Sequence, residues 1–249
     1  MKRESDGPRP RLKKYVPPAS RGQVGMWKLL EGVRKIATTQ RARLTLPGLD
    51  FPQNDGPPLF FAGDLSLVRC RCVSVVGSRT VSAEGAARTR RLARELAAAG
   101  VVVVSGLAAG VDTEAHSSAI QAGGRTIAVI GTPLDVAYPA ANARLQERIY
   151  REHLLVSPFA TGARVFRSNF PTRNRTMAAL SDVTVIMEAS DTSGSLHQAA
   201  ECRPDRLDRW LFISKSMVND SRLTWPKKFL GAPKVRILGE TADVLAVLG

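Results

Sequence analysis

Val73-Ser74-Val75-Val76-Gly77-Ser78-Arg79 and, one helix length further on, Val101-Val102-Val103-Val104-Ser105-Gly106-Leu107-Ala108-Ala109-Gly110-Val111-Asp112 decide the fold. Four consecutive valines leave no polar side to turn to water, which suits a strand buried on both faces of a parallel sheet. Between the two runs, Ser82 can cap a helix that extends through Ala99 and is stopped by Gly100. Asp112 can cap a second helix running to Ala122, closed by Gly123-Gly124. Working outward, strands are expected at 126–130, 154–156, 183–187 and 211–213. Helices are expected near 142–151, 172–180, 194–201 and 240–248. Strands alternating with helices predict an α/β protein with a Rossmann-like, doubly wound parallel sheet.

The Lys and Arg residues number 36 against 22 Asp and Glu, a formal net charge of +14 in 249 residues. Residues 1–47 hold twelve of the basic and three of the acidic residues, so most of the surplus is N-terminal. A field of that sign favours a polyanionic partner. Residues 1–22 read as a mobile basic arm. Apolar residues at 26, 29, 30, 33, 36 and 37 suit a short amphipathic helix over 24–37, and Pro and Gly make 47–58 a linker. Residues 1–58 are therefore expected as a basic N-terminal extension, and 59–249 as the Rossmann-type domain. No apolar run reaches the roughly 18 residues of a membrane span, and the charged N-terminus shows no secretory signal. Three cysteines and three histidines, scattered, make neither a disulfide framework nor a metal site. The expected setting is the cytoplasm.

In such a sheet, ligands bind beyond the carboxyl ends of the strands. The loops there are rich in glycine, hydroxyls and arginine, which suits phosphate. Gly77-Ser78-Arg79 lacks the G-x-G-x-x-G dinucleotide fingerprint, Ser105 stands where a ribose-binding carboxylate is expected, and no P-loop occurs. Arg79 instead puts a permanent cation in the first turn; the plainer reading is a surface ion pair. The candidate anion-binding residues are Gly77, Ser78, Arg79, Ser105, Gly106, Ala108 and Gly110. In Asn169-Phe170-Pro171-Thr172-Arg173-Asn174-Arg175, the donors Arg173, Asn174 and Arg175 could hold phosphates while an exposed Phe170 stacks a base, with Asn169 beside them. A solvated helix-capping cluster is the alternative. Ser193, Gly194 and Ser195 could complete the cradle or simply open a helix. No nucleophile elbow surrounds Ser193 or Ser195, and His116 reads as a structural hydrogen-bonding group near Asp112. No catalytic residue, metal or cofactor is assigned.

Taken in order, Gly77-Ser78-Arg79, Ser105 to Asp112 with Ala115-His116, Thr126 to Gly131, Leu134-Asp135 with Tyr138-Pro139 and Asn142, Asn169 to Arg175, Ser193 to Leu196 and Ala199-Ala200-Glu201 resemble the Rossmann-type core of the DprA/Smf (DNA-processing protein A) family. The resemblance runs from about Leu59 to about Ile213. It implies a single-stranded DNA binder that acts as a homodimer, without metal or nucleotide turnover, and hands the strand to the RecA recombinase in natural transformation. It also implies that Arg79, and with it Arg173 and Arg175, holds the DNA backbone in a positive pocket. The chain departs from the family in Ala140-Ala141, where many relatives carry a basic residue. Ser214-Lys215-Ser216 replaces a common Val-Pro-Gly turn. Neither a winged-helix domain nor a helix-hairpin-helix is expected, and the basic arm could serve as a sequence-blind clamp.

Two other functions use the same core. A nucleotide-binding sensor would occupy the same anion pocket. A LOG-type nucleoside-monophosphate phosphoribohydrolase would need a carboxylate where this chain has Gln198, with Glu201 almost a full helical turn on. A neutral amide cannot serve as a general base.

Overall fold

The computed structural model describes residues 15–33 and 55–249. Among the described residues, nine strands form a single sheet: β1 (Gly22–Gly25), β2 (Pro58–Gly63), β3 (Cys72–Val76), β4 (Val102–Ser105), β5 (Thr126–Val129), β6 (Leu154–Ser157), β7 (Val183–Ile186), β8 (Trp210–Ser214) and β9 (Val235–Leu238). Their spatial order is β1-β2-β6-β5-β4-β3-β7-β8-β9. From β6 to β9 every pairing is parallel, while β1 and β2 add antiparallel strands at one edge. The chain winds outward from β3 through β4 and β5 to β6, then returns to place β7 on the other side of β3. The expected doubly wound α/β fold is what forms.

The α-helices among the described residues are α1 (Met26–Leu30), α2 (Ala83–Ala98), α3 (Val111–Gln121), α4 (Ala143–Glu152), α5 (Asn169–Ala179), α6 (Ser195–Glu201), α7 (Lys215–Val218) and α8 (Thr241–Leu245). Alternate residues of the central strands enter different cores. Val73, Val75 and Val103 pack with Leu92, Leu96 and Ala115 of α2 and α3. Cys72, Val76, Val102 and Val104 pack on the opposite face with Met177 and Leu180 from the α5 region and with Ala199 of α6. This two-sided burial is why the valine run carries no polar alternation. The Ser82 hydroxyl accepts from the Gly85 N–H at 3.0 Å and caps α2 as its position predicts.

Four expectations change near the termini and caps. Residues 15–22 are not a free arm where described, since the Tyr15 hydroxyl donates to the Leu134 carbonyl at 2.8 Å and the Val16 N–H to Glu147 Oε1 at 2.9 Å. The helix expected over 24–37 is only α1, five residues long, because Val24 joins β1 against β2; residues 34–37 lie outside the described ones. Asp112 does not cap α3. Gly110 is the cap at φ 74°, and a Cβ there would lie 2.3 Å from the Ser78 carbonyl oxygen. Strands β2 and β9 were not foreseen. β2 begins at Pro58, which sits at the first residue of its strand, where a missing N–H does least harm.

Candidate nucleic-acid interface

Because β7 lies beside β3 while the chain after β3 goes the other way, the loops after these two strands part and leave a crevice at their carboxyl ends. It encloses about 310 Å³ and is lined by the loop after β3, the loop after β7 and the inner faces of α5 and α6. Glu188, just after β7, ties the two loops together. Its carbonyl accepts from the Ser78 N–H at 2.6 Å, and its carboxylate accepts from the Ser82 N–H at 2.9 Å and the Ser82 hydroxyl at 2.6 Å. The Val111 N–H in turn donates to the Ser78 carbonyl. The first turn is thereby fixed from both sides before any ligand arrives.

Of the candidate residues, Gly77, Ser78, Arg79, Ala108, Phe170, Arg173, Asn174, Ser193, Gly194 and Ser195 line this crevice. Arg79 is exposed and has no carboxylate partner among the described residues. Its guanidinium carbon sits 5.4 Å from the centroid of the Phe170 ring, a cation–π distance. Phe170 is half-buried rather than exposed, with Tyr138 tilted against it at 5.7 Å between centroids. One face of this pair is structural and the rim stays open, since Tyr138 is 48% exposed.

Arg173 does not behave like Arg79. It is buried on α5, with Nη1 3.6 Å from Asp112 Oδ2 and 3.6 Å from Met177 Sδ. Burial pushes the Asp112 carboxyl up from its ordinary range, and the Arg173 guanidinium opposes that shift. Arg173 stays charged, as guanidinium does in proteins. Its positive charge is offset by Asp112, so it forms part of the crevice floor and is not a free phosphate ligand. Gly106 exists for it: a Cβ at Gly106 would stand 0.9 Å from Arg173 Nη1.

Other candidate residues serve the scaffold. Ser105 is fully buried and its hydroxyl donates to the Val75 carbonyl at 2.7 Å. The Asn169 amide donates to the Gly131 carbonyl at 3.2 Å, and the Asn174 amide to the Gly194 carbonyl at 2.9 Å. Arg175 lies outside the crevice and pairs with Glu201 at 3.2 Å. Ser193 accepts from the Ser190 N–H at 2.8 Å and so shapes its own loop. His116 is structural, with Nδ1 2.6 Å from Thr126 Oγ1 on β5.

Thr80, Ser190, Thr192 and Gln198 also line the crevice. Their signal in the sequence is their place in loops already rich in hydroxyls. The buried Ser195 hydroxyl, Gln198 Oε1 and Arg173 Nε reach no protein partner, so the crevice keeps unspent hydrogen-bonding capacity. Asp112 is the carboxylate that lines it, and the Ala108 N–H donates to it at 3.2 Å. Beside Phe170, the loop before α5 exposes Arg164, Phe166 and Arg167, which the motif reading passed over. No group of three or more His, Cys, Asp and Glu among the described residues is placed to hold a metal ion. No helix among them is long and apolar enough to cross a membrane.

Residues 49–232 match the family model of DNA recombination-mediator protein A. The chain is 47% identical over 138 residues to the DNA processing protein DprA of Streptococcus pneumoniae, covering 55% of this chain and 49% of that protein. It is 36% identical over 152 residues to DprA of Bacillus subtilis, covering 59% and 51%. The chain thus spans about half the length of these curated relatives. Among solved structures it is similar to Streptococcus pneumoniae DprA, with a TM-score of 0.69 at 39% identity over 77% of this chain and 67% of that one. It is also similar to DNA processing protein A of Helicobacter pylori, whose structure describes a single-stranded DNA binding mode. There the TM-score is 0.68 at 28% identity, over 80% of this chain and 93% of that one.

Proposed function

The chain belongs to the DNA recombination-mediator protein A family, and on that footing we propose that it binds single-stranded DNA across the crevice at the carboxyl ends of β3 and β7. The observation that carries this reading is Arg79. It is an exposed cation without a carboxylate partner among the described residues, held at the crevice rim by a turn braced through Ser78 and Glu188. A phosphodiester settles against Arg79, Ser78 and the hydroxyl-lined loop of Ser193 to Ser195, and a base lies against Phe170 and Tyr138. The protein then passes the strand to the RecA recombinase, works as a homodimer in the cytoplasm and carries no catalytic step. These finer points are inferred from family membership.

A single strand has a mobile backbone that can follow a narrow crevice, and stacking on an aromatic ring is indifferent to sequence. Cleavage of a nucleoside monophosphate is disfavoured by Gln198 and Asp112 of the lining and by Glu201 outside it. Gln198 is neutral and donates to the Thr184 hydroxyl at 3.2 Å, Glu201 is engaged by Arg175, and Asp112 is engaged by Arg173.

Titration of oligo-dT across a salt series tests the reading. Affinity should fall with a log–log slope of roughly 0.7 per phosphate neutralised, and Arg79→Ala should shorten that slope by about one contact. Salt-independent binding, or equal affinity for wild type and Arg79→Ala, would place the nucleic acid elsewhere.

A further inference from the structure

A second cavity, of about 260 Å³, opens at the carboxyl ends of β8 and β9 on the side covered by α2. Arg88 and Arg91, one turn apart on α2, and Lys215, directly after β8, line it together with the hydroxyl residues Ser214, Ser216 and Thr241. We propose that this is a second phosphate-binding site, which takes a phosphodiester of a strand that has left the first crevice. For its ligand the proposal rests on the single-strand reading above.

The cations, rather than a net charge, favour a phosphate. Neither Arg88 nor Lys215 has a carboxylate partner among the described residues, and Arg91 is only loosely paired, 3.9 Å from Glu95. Of the acidic groups here, Glu240 lines the cavity and Glu95 and Asp243 stand beside it; they keep their charge, but each is hydrogen-bonded. Glu95 accepts from the Thr241 hydroxyl. Glu240 accepts from the backbone of α8, and Asp243 accepts from the Gly239 and Glu240 N–H groups at 2.9 Å each. Arg88 Nε is buried with no acceptor, and a buried donor left open in this way calls for a ligand oxygen.

The cavity is also connected to the first crevice. A polar groove between them shares Ser78, Thr80 and Ser190 with the crevice and Arg88 and Ser216 with the cavity. Asp220 in that groove is bound by Arg222 at 2.7 Å and Glu188 by Ser82, while Glu84 also lines it and is exposed, so the path between the two sites is polar and carries one open carboxylate. Ser214-Lys215-Ser216, the turn that departs from the family's Val-Pro-Gly, supplies one cation and two hydroxyls to the cavity.

The test compares wild type with Arg88→Gln/Lys215→Gln in binding oligo-dT of about 6 and about 20 nucleotides, lengths within and beyond the reach of one binding groove. A thermal melt with and without inorganic phosphate is run alongside. The long oligonucleotide should bind the variant about tenfold more weakly, with a salt slope shallower by roughly 0.7 per lost phosphate contact, while the short one binds as before. If phosphate raises the melting temperature of wild type but not of the variant and the long oligonucleotide is unaffected, the site stands and its ligand is a free phosphate. Equal long-strand affinity together with equal phosphate response would overturn the proposal. Failure of wild type to bind any oligonucleotide would defeat the single-strand reading instead, and the phosphate melt would still decide the second site. Lys215→Gln alone, a change at an exposed residue, repeats the comparison should the double variant not fold.

Discussion

Arg173 holds its guanidinium 3.6 Å from the Asp112 carboxylate, with both side chains about 6% exposed, whereas Arg79 stands at the crevice rim over an aromatic ring. Removing one member of a buried ion pair strands the other, at a cost of about 3–5 kcal/mol. Arg173→Met should therefore lower stability by about that amount in a denaturant titration. Arg79→Ala, an exposed change, should stay within about 0.5 kcal/mol of wild type and instead lose affinity for single-stranded DNA. If the two substitutions reversed these effects, the roles assigned to the arginines would be exchanged. Gly106→Ala belongs with Arg173: its methyl would occupy the space of Nη1, so it should destabilise by about 1–3 kcal/mol, as overpacking does, in the same titration. The motif reading identified both arginines but could not separate them. The partner that neutralises Arg173 is a helix residue far along the chain, and what brings them together is the sheet order. Ser105 and Asn169 turn to backbone carbonyls outside the crevice lining, and sequence could not separate them from Asn174, which lines it, since a short polar side chain beside a turn looks the same in sequence whether it faces a ligand or a neighbouring carbonyl.

At the scale of the element, strand β1 and helix α1 show where periodicity misleads. Met26, Leu29 and Leu30 recur at helical spacing, and all three are buried, so the helix signal is genuine but short. Val24, read as the start of that helix, is instead drawn into a ladder with Leu59 of β2, because tertiary pairing outweighs a local preference. The central elements were legible because each strand there is a short, mostly apolar run that is buried along its whole length, and α2 between the first two carries its own Ser82 cap. Edge strand β9 was not, being four residues with a single buried side chain. The anchor of the N-terminal pair is the Trp27 side chain, 3% exposed, while its backbone N–H donates to the Asp55 carbonyl at 2.9 Å. Trp27→Ala should cost about 3–5 kcal/mol. For a chain of this length that is a fall of roughly 6–20 °C in melting temperature, measurable by thermal circular dichroism. A melt unchanged by this substitution would mean that β1 and α1 contribute nothing to the core.

Across the whole molecule, the acid limb of stability should report on a histidine sealed between the sheet and α3. His116 is fully buried, and burial, with the like charge of His153 beside it, pushes its imidazole down to about 3. The unfolded chain binds a proton there near the ordinary value of about 6.5, and the folded chain does not until the pH approaches 3. As pH falls through that window the unfolded state holds the extra proton, so stability decreases, by at most about 1.4 kcal/mol per pH unit for this one group. The stability is fully present above pH ~6.5 and lost as the pH drops toward the folded value. Asp112 acts in the opposite sense, because burial raises its carboxyl and the folded state takes up that proton first. A direct acid titration of wild type would mix the two, whereas His116→Gln leaves Asp112 in place and removes only the imidazole. Plotted from pH 7 to pH 5, wild-type stability should fall more steeply than that of the variant, by about 2 kcal/mol; His153, also held below its ordinary value by burial, is present in both proteins. Curves that ran parallel, whatever their offset, would show that His116 takes up its proton equally in both states, and the fully buried, neutral imidazole at the centre of the α/β core would then be wrong.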